Sequence, residues 1–273
     1  MMTVIEQQSV AKSTTTPSED AVVVTSSYAG VIDGATPKTS FLYPTGETPG
    51  QMAARLIAEA IPQLPADASA LEVTQMLTHV LHQDDVLPCN RPMASCVIYS
   101  VTRREVWLLG DCHFATITDT GQLTRHSNEK RIDHLLSDWR RAIVTSYLSR
   151  GLMTQDEIIA NDPGRRIIQP HITRQVRFQN MTQPHPLAYC MLDGEPVQEE
   201  YIRIYPIAGN VSELILASDG YPTILSSLSA TEDHLQRLLK EDPLCIGPLL
   251  GTKGIRPGNQ SFDDRTYLRI KIV

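Results

Sequence analysis

Four times in this chain an apolar, strand-like run meets a turn at an aspartate. "GVIDGAT" carries Asp33, "VWLLGDC" carries Asp111, "LILASDGY" carries Asp219 and "NQSFDDRTYLRI" carries Asp263. A fifth, Asp20 in "SEDAVVV", opens the first apolar run. A charge at the end of a core strand is costly unless something pairs with it. Taken singly, each is a turn or cap residue, and Asp-Gly, which occurs at Asp33-Gly34 and Asp219-Gly220, is first of all a turn signal. Taken together they predict a fold in which the ends of several strands converge and their carboxylates share a counter-charge.

The rest of the chain is consistent with a sizeable core. Of 273 residues, 41% are hydrophobic and 20% charged, an ordinary globular composition. The net charge of −7 argues against nucleic acid as a partner and leaves cations open. No apolar run reaches the ~18 residues of a membrane span, so no membrane association is expected. The first residues lack the basic start and long apolar stretch of a signal peptide. Five cysteines, at 89, 96, 112, 190 and 245, show no paired metal spacing. An odd count of this kind points to a reduced, cytoplasmic protein.

Residues 1–17 are polar and Ser/Thr-rich and read as a flexible tail. One or two short strands follow from Asp20 to Ile32. "GQMAARLIAEAI" and "SALEVTQMLTHVLHQ" have helical spacing. "ASCVIYSV", "REVWLLG" and "HFATITD" form a strand meander. A long helix is expected from about Asn128 to Arg150, with Ile132, Leu135, Leu136, Trp139, Ile143 and Tyr147 as its apolar face. Residues 160–186 read as irregular, and "PLAYCML", "EYIRIYPI" and "ELILAS" as strands. Residues 223–240 read as a helix capped by Ser229 or Thr231, and "RTYLRIKIV" as a half-buried closing strand. There is no internal repeat. Strands at both ends with paired helices between them fit two packed sheets flanked by helices, not a βαβ-wound parallel sheet.

Hard divalent cations such as Mg²⁺ and Mn²⁺ take a few carboxylates and keep several waters. Strand ends are rigid mounts for such ligands, and a glycine after the aspartate permits close approach of the backbone. The set, in this order, resembles the metal-dependent PP2C (PPM-type) protein phosphatases over roughly Ser18 to Val273. "SEDAVVV" is similar to that family's Glu-Asp strand, "VIDGAT" stands at its Asp-Gly-His-Gly motif, and "LLGDCHFATI" resembles its Gly-Asp-Ser strand. "LILASDGYPTIL" is the most specific match, and "SFDDRTYLRI" resembles the closing Ser-x-Asp-Asn-x-Thr strand.

The resemblance implies an α+β fold, a PP2C-like sandwich of two mostly antiparallel sheets with helices on both outer faces. It implies one domain over 18–273 with a variable, flap-like insertion at about 126–186. It also implies two Mn²⁺ or Mg²⁺ ions. Asp33 would bridge them, the Gly34 carbonyl would bind one, and Asp219 and Asp263 would hold the other. Glu19 and Asp20 would act through water, and Asp111 would help hold a third, weaker ion. Asp264 falls on the family's Asn, so Asp263 is the preferred ligand of the pair. The implied activity is hydrolysis of phosphate monoesters by a metal-bound water, on phospho-Ser/Thr protein or a small phosphate ester. The alternative is a PP2C-like binding or regulatory module with little catalysis.

Two departures bear on that choice. The family's His after Asp-Gly falls on Ala35, and its phosphate-binding Arg falls on Thr15. Lys12 or the Arg165-Arg166 pair are the available substitutes. Cys112 stands at the family's Ser, with no activating neighbour in sequence. His113 reads as a strand residue, Trp107 and Trp139 as core, and Arg140-Arg141 as a solvated helix face. The haloacid-dehalogenase pattern fails because Val31 occupies its nucleophile position. P-loop, Gly-x-Ser-x-Gly and dinucleotide-binding glycine patterns are missing.

Overall fold

Most strands of this chain carry apolar residues on both sides, because both sides are covered. In the computed structural model, which describes residues 2–36, 38–128 and 130–272, two five-stranded antiparallel sheets pack face to face. Numbered in chain order, one sheet runs β1 (Met2–Val10), β10 (Arg265–Ile272), β9 (Val211–Ala217), β6 (His113–Thr118), β7 (Leu123–His126). The other runs β2 (Asp20–Val24), β3 (Tyr28–Gly34), β4 (Ala94–Ser100), β5 (Glu105–Leu109), β8 (Arg203–Pro206). Val31, Val97 and Leu108 from the second sheet meet Phe114, Leu216 and Leu268 from the first between the layers. The alternate residues Ile32, Ile98 and Trp107 point outward into helices α1 (Pro49–Ala60) and α2 (Ala70–Leu81). On the other face Ile215, Ala217 and Tyr267 pack under α6 (Leu228–Glu241). Each fully buried aliphatic side chain contributes roughly 1.5–3 kcal/mol by leaving water. This is the expected α+β sandwich with helices on both outer faces.

Between β7 and β8 lie α3 (Arg131–Ser149), α4 (Gln155–Ala160) and α5 (Pro163–Arg174). Ile132 and Leu136 of α3 pack on Ile168 and Ile172 of α5 over one end of the sandwich. A buried arginine fixes this unit to the core. The Arg140 guanidinium reaches Asp162 at 2.7 Å and the carbonyls of Cys245 and Gly251 at 3.0 Å and Leu244 at 2.6 Å.

Several expectations are corrected. Met2–Val10 is an edge strand paired with β10 and not a flexible tail. Its polar pattern reflects a strand with one exposed face. Residues 163–174 are helical because Asp162 caps the helix and Pro163 occupies its first position, where no N–H is needed. The last main helix starts at Leu228, capped by Ser227, not at 223 with Ser229 or Thr231 as cap. "PLAYCML" makes isolated bridges from Tyr189 and Leu192 and no full strand. Along α3 the buried row is Ile132, Leu136, Arg140 and Val144, while Leu135 and Trp139 are exposed. Arg140 is thus core, and Trp139 is not. Among the described residues no helix is long and apolar enough to cross a membrane.

Candidate metal centre

The five aspartates gather at one end of the sandwich because the strand registers place them there. Asp20 on β2 pairs directly with Asp33 on β3, and Asp33 in turn pairs with Ser95 on β4. Like charges directly opposite each other on neighbouring strands are destabilising unless compensated. Ser95 Oγ donates to Asp111, just past β5. The second sheet enters through Ser218, at the end of β9, whose Oγ donates to Asp20 Oδ2 at 2.7 Å. Ser218 also accepts the Thr266 N–H of β10 at 2.9 Å, tying the closing strand to the same point.

The two Asp-Gly glycines are explained by packing, not by turn geometry. A Cβ on Gly34 would collide with the carbonyls of Glu19 and Gly50, and one on Gly220 would collide with the carbonyl of Asp264. Neither has positive φ. Each glycine lets a second segment pass close by, bringing the Glu19 carbonyl against Gly34 and the Asp264 carbonyl against Gly220. The Gly34 carbonyl itself lies against Gly50 in the first turn of α1. The α1 cap, Thr48, donates from Oγ1 to Glu19 Oε1 at 2.7 Å.

Asp33, Asp111, Asp219 and Asp263 all line one cavity of about 400 Å³. Asp264 does not; it is buried, accepting the N–H groups of Lys12 at 2.8 Å and Glu19 at 3.2 Å. Of the closing pair, Asp263 therefore faces the cavity and Asp264 ties the backbone. Burial raises Asp33 well above the usual carboxylate range, helped by Asp219, Asp20 and Asp111. Asp219 opens into the cavity, yet the surrounding protein together with Asp263 and Asp111 pushes it up to about 8. Burial, with Asp263 and Asp264 nearby, takes Asp20 to about 7 against its bond from Ser218. Burial also acts on Asp263 and Asp111, but ammonium groups overcome it. Lys253 and Lys12 hold Asp263 down, and Lys130 holds Asp111 down.

Of these lysines the sequence singles out only Lys12, as a substitute for the phosphate-binding Arg, and not Lys130 or Lys253. Lys12 Nζ lies 2.9 Å from Glu19, 3.1 Å from Asp263 and 2.9 Å from Asp264. Lys253 is 2.6 Å from Asp263, and Lys130 is 2.7 Å from Asp111. The rest of the lining is basic as well: Lys38, Arg165 and Arg256 line the same cavity. Burial and the charges of Lys253 and Arg165 lower Lys38 to about 8, and burial beside Arg256 and Arg140 lowers Arg165 to about 10. The Arg165 Nε is buried with no hydrogen-bond partner among the described residues. Thr15, by contrast, is exposed and bonded to Ser13, and Arg166 is exposed. His113 Nε2 lies 3.1 Å from the Ser218 carbonyl, so it carries the proton and serves that turn. Cys112 is buried, and burial with Asp33 and Asp111 nearby raises its thiol, which rules out a ready nucleophile.

No protein-family model and no curated protein sequence matches this chain. Solved structures do. The Mycobacterium tuberculosis serine/threonine phosphatase PstP/Ppp is 14% identical with a TM-score of 0.51, covering 99% of this chain and 98% of its own. The catalytic domain of the serine/threonine protein phosphatase PstP in complex with 2 manganese ions is 15% identical with a TM-score of 0.50, covering 100% of both chains. The fold is that of the PPM-type phosphatases. A bacterial serine phosphatase, 13% identical, matches at a TM-score of 0.50 over 98% of each chain.

Whether a PPM-type divalent ion suits these residues follows from their chemistry. Among the described residues no hydrogen bond or ion pair reaches the carboxylates of Asp33 or Asp219. Beside them the buried Asp20 Oδ1 has no partner. Uncompensated oxygens of this kind fit one hard cation. On the other side, Glu19, Asp263 and Asp111 already face ammonium groups. As the side chains stand, no group of three His, Cys, Asp or Glu residues among those described is arranged to hold an ion.

Proposed function

We propose that this chain hydrolyses phosphate monoesters with the aid of a bound divalent cation, Mn²⁺ or Mg²⁺. The observation that carries this reading is one cavity lined both by Asp33 and Asp219, whose carboxylates no hydrogen bond or ion pair reaches among the described residues, and by the cations Lys38 and Arg165. A phosphoryl dianion would complement the guanidinium and ammonium through its oxygens, with a bound cation offsetting the carboxylates. Asp33 and Asp219 would hold the cation, which would supply Lewis-acid charge to the phosphoryl oxygens and a more acidic water. The chain's own residues do the rest. Arg165, fixed by its bond to the Thr252 carbonyl at 3.0 Å, orients the phosphate. Ala35 offers no proton to the leaving oxygen. Lys38, lowered to about 8, still holds one at neutral pH and can release it, so it is the residue we assign to that role.

The substrate in this reading is a phosphorylated Ser/Thr side chain or a small phosphate ester. Turnover of an aryl phosphate such as p-nitrophenyl phosphate should require added Mn²⁺ or Mg²⁺, stop with chelator and return on re-addition. Metal-independent turnover would reject the reading. The lysine pairs on Glu19, Asp263 and Asp111 favour a second one, a phosphate-binding module without turnover. Mn²⁺-stimulated binding of a phosphopeptide with no release of phosphate from any ester would select it.

A further inference from the structure

From the position of its ammonium we infer that Lys12 is a resident cation of this centre, balancing Glu19 and the Asp263-Asp264 pair in place of one divalent ion, so that the chain takes up one such ion and not two. The inference rests on the reading of the cavity as a divalent-cation centre.

The surroundings of Lys12 Nζ resemble the shell of a bound ion more than a surface ion pair. Four oxygens surround it: Glu19 Oε2 at 2.9 Å, Thr36 Oγ1 at 3.0 Å, Asp263 Oδ1 at 3.1 Å and Asp264 Oδ2 at 2.9 Å. An ammonium has three N–H bonds, so it serves four acceptors as a compact point charge. The residue is also anchored on both sides of its backbone. Its N–H donates to Asp264 Oδ1 at 2.8 Å, and its carbonyl accepts the Gln260 N–H at 2.9 Å. A lysine on a mobile surface loop lacks such ties.

Asp264 supplies the reason for the charge. Where the resemblance places a neutral Asn, this chain has a carboxylate that is 3% exposed. Its oxygens accept two backbone N–H groups, which an Asn oxygen could partly do, but the extra negative charge needs a cation nearby. Lys12 provides it, and the same ammonium reaches Glu19 and Asp263. The other Asp263 oxygen faces Lys253 at 2.6 Å. A divalent ion brought to Glu19 and Asp263 would sit within a few ångströms of Nζ, where like charges repel strongly. Asp33 and Asp219, which no lysine touches, keep their affinity for one ion. With its N–H bonds committed to carboxylates, Lys12 is also not the substitute for the phosphate-binding arginine.

Count Mn²⁺ bound per chain by titration calorimetry on chelator-treated full-length protein, with free Mn²⁺ read in parallel by electron paramagnetic resonance. The wild type should bind one Mn²⁺. Lys12→Met should bind a second. Since Lys12→Met leaves Asp264 buried and uncompensated and can fail to fold, Lys12→Met/Asp264→Asn removes both charges together and should also bind two. Two ions of comparable affinity in the wild type, or one in the double variant, would overturn the assignment. The count needs no turnover, so its failure is separable from that of the hydrolase reading. An active enzyme with two ions refutes only the role of Lys12, and an inactive protein with one ion refutes only hydrolysis.

Discussion

Replacing Arg140 by Met removes a fully buried cation that fastens the α3–α5 unit to the core. The guanidinium is completely buried and makes an ion pair of 2.7 Å with Asp162 and three bonds to the carbonyls of Leu244, Cys245 and Gly251. Methionine fills much of the volume but donates nothing. Three carbonyls then lose a charged donor, each at about 1 kcal/mol or more. Asp162 is 18% exposed at its side chain and still caps α5 through the Arg165 N–H, so rehydration offsets part of its loss. The sum is about 3–5 kcal/mol, comparable to breaking a buried pair. The loss should be local first, because the sheets do not depend on these bonds. Urea denaturation should show lowered stability, and native-state hydrogen exchange should show α3 and α5 opening while β3, β4 and β9 keep their protection. Lys253 and Arg165 belong to the loosened segments, so kcat/KM for an aryl phosphate should fall while Mn²⁺ binding persists. A variant within ~1 kcal/mol of wild type, with unchanged exchange in α3 and α5, would refute the role given to Arg140.

Without metal, Asp33 and Asp219 hold protons in the folded state that the unfolded chain loses near pH 4. The Asp219 contribution to stability is therefore complete below that pH and lost as pH rises towards about 8, with Asp33 acting in the same direction, so chelated protein should melt lower at pH 8 than at pH 6.5, and Mn²⁺ should raise the melting point more at pH 8. Because Ala35 gives no proton, rates should fall steeply as the leaving group becomes more basic. Lys38→Met should steepen that dependence and Ala35→His should flatten it, and an unchanged slope in Lys38→Met would remove Lys38 from the role of acid. Arg165→Met should raise KM for simple phosphates by roughly tenfold or more, as expected for loss of a charge-assisted contact, with metal binding intact; an unchanged KM would show that the phosphate binds elsewhere.

Much of the site was legible because strand ends announce themselves. Asp33, Asp111, Asp219 and Asp263 each interrupt an apolar run, and the sheets carry all four to one cavity. The cations were not legible in the same way. Lys130 and Lys253 were not singled out, and Lys12, singled out only as a substitute phosphate ligand, meets partners as far away as Asp264. Arg140 did leave a trace. It lies four residues after Leu136 and four before Val144, on the row that α3 buries, but a charged pair on a helix reads as solvated unless that row is followed through it. Helix α5 was hidden by Pro163, Gly164 and Pro170, which mark loops, although Asp162-Pro163 is also a helix start. β1 was hidden because an edge strand with one exposed face needs few apolar residues.

That Asp33 and Asp219 jointly hold the cation needed for hydrolysis is tested most directly by Asp33→Asn, measured for turnover and for stability in the same preparation. Asparagine keeps the shape and removes one of the mutually repelling carboxyl groups, leaving Asp20 and Asp219 beside a neutral side chain. The metal-free variant should be at least as stable as wild type at pH 8, should lose its Mn²⁺-induced rise in melting temperature, and should lose turnover of an aryl phosphate by on the order of 10³-fold. Turnover and Mn²⁺ stabilisation that both survive the substitution would contradict the assignment.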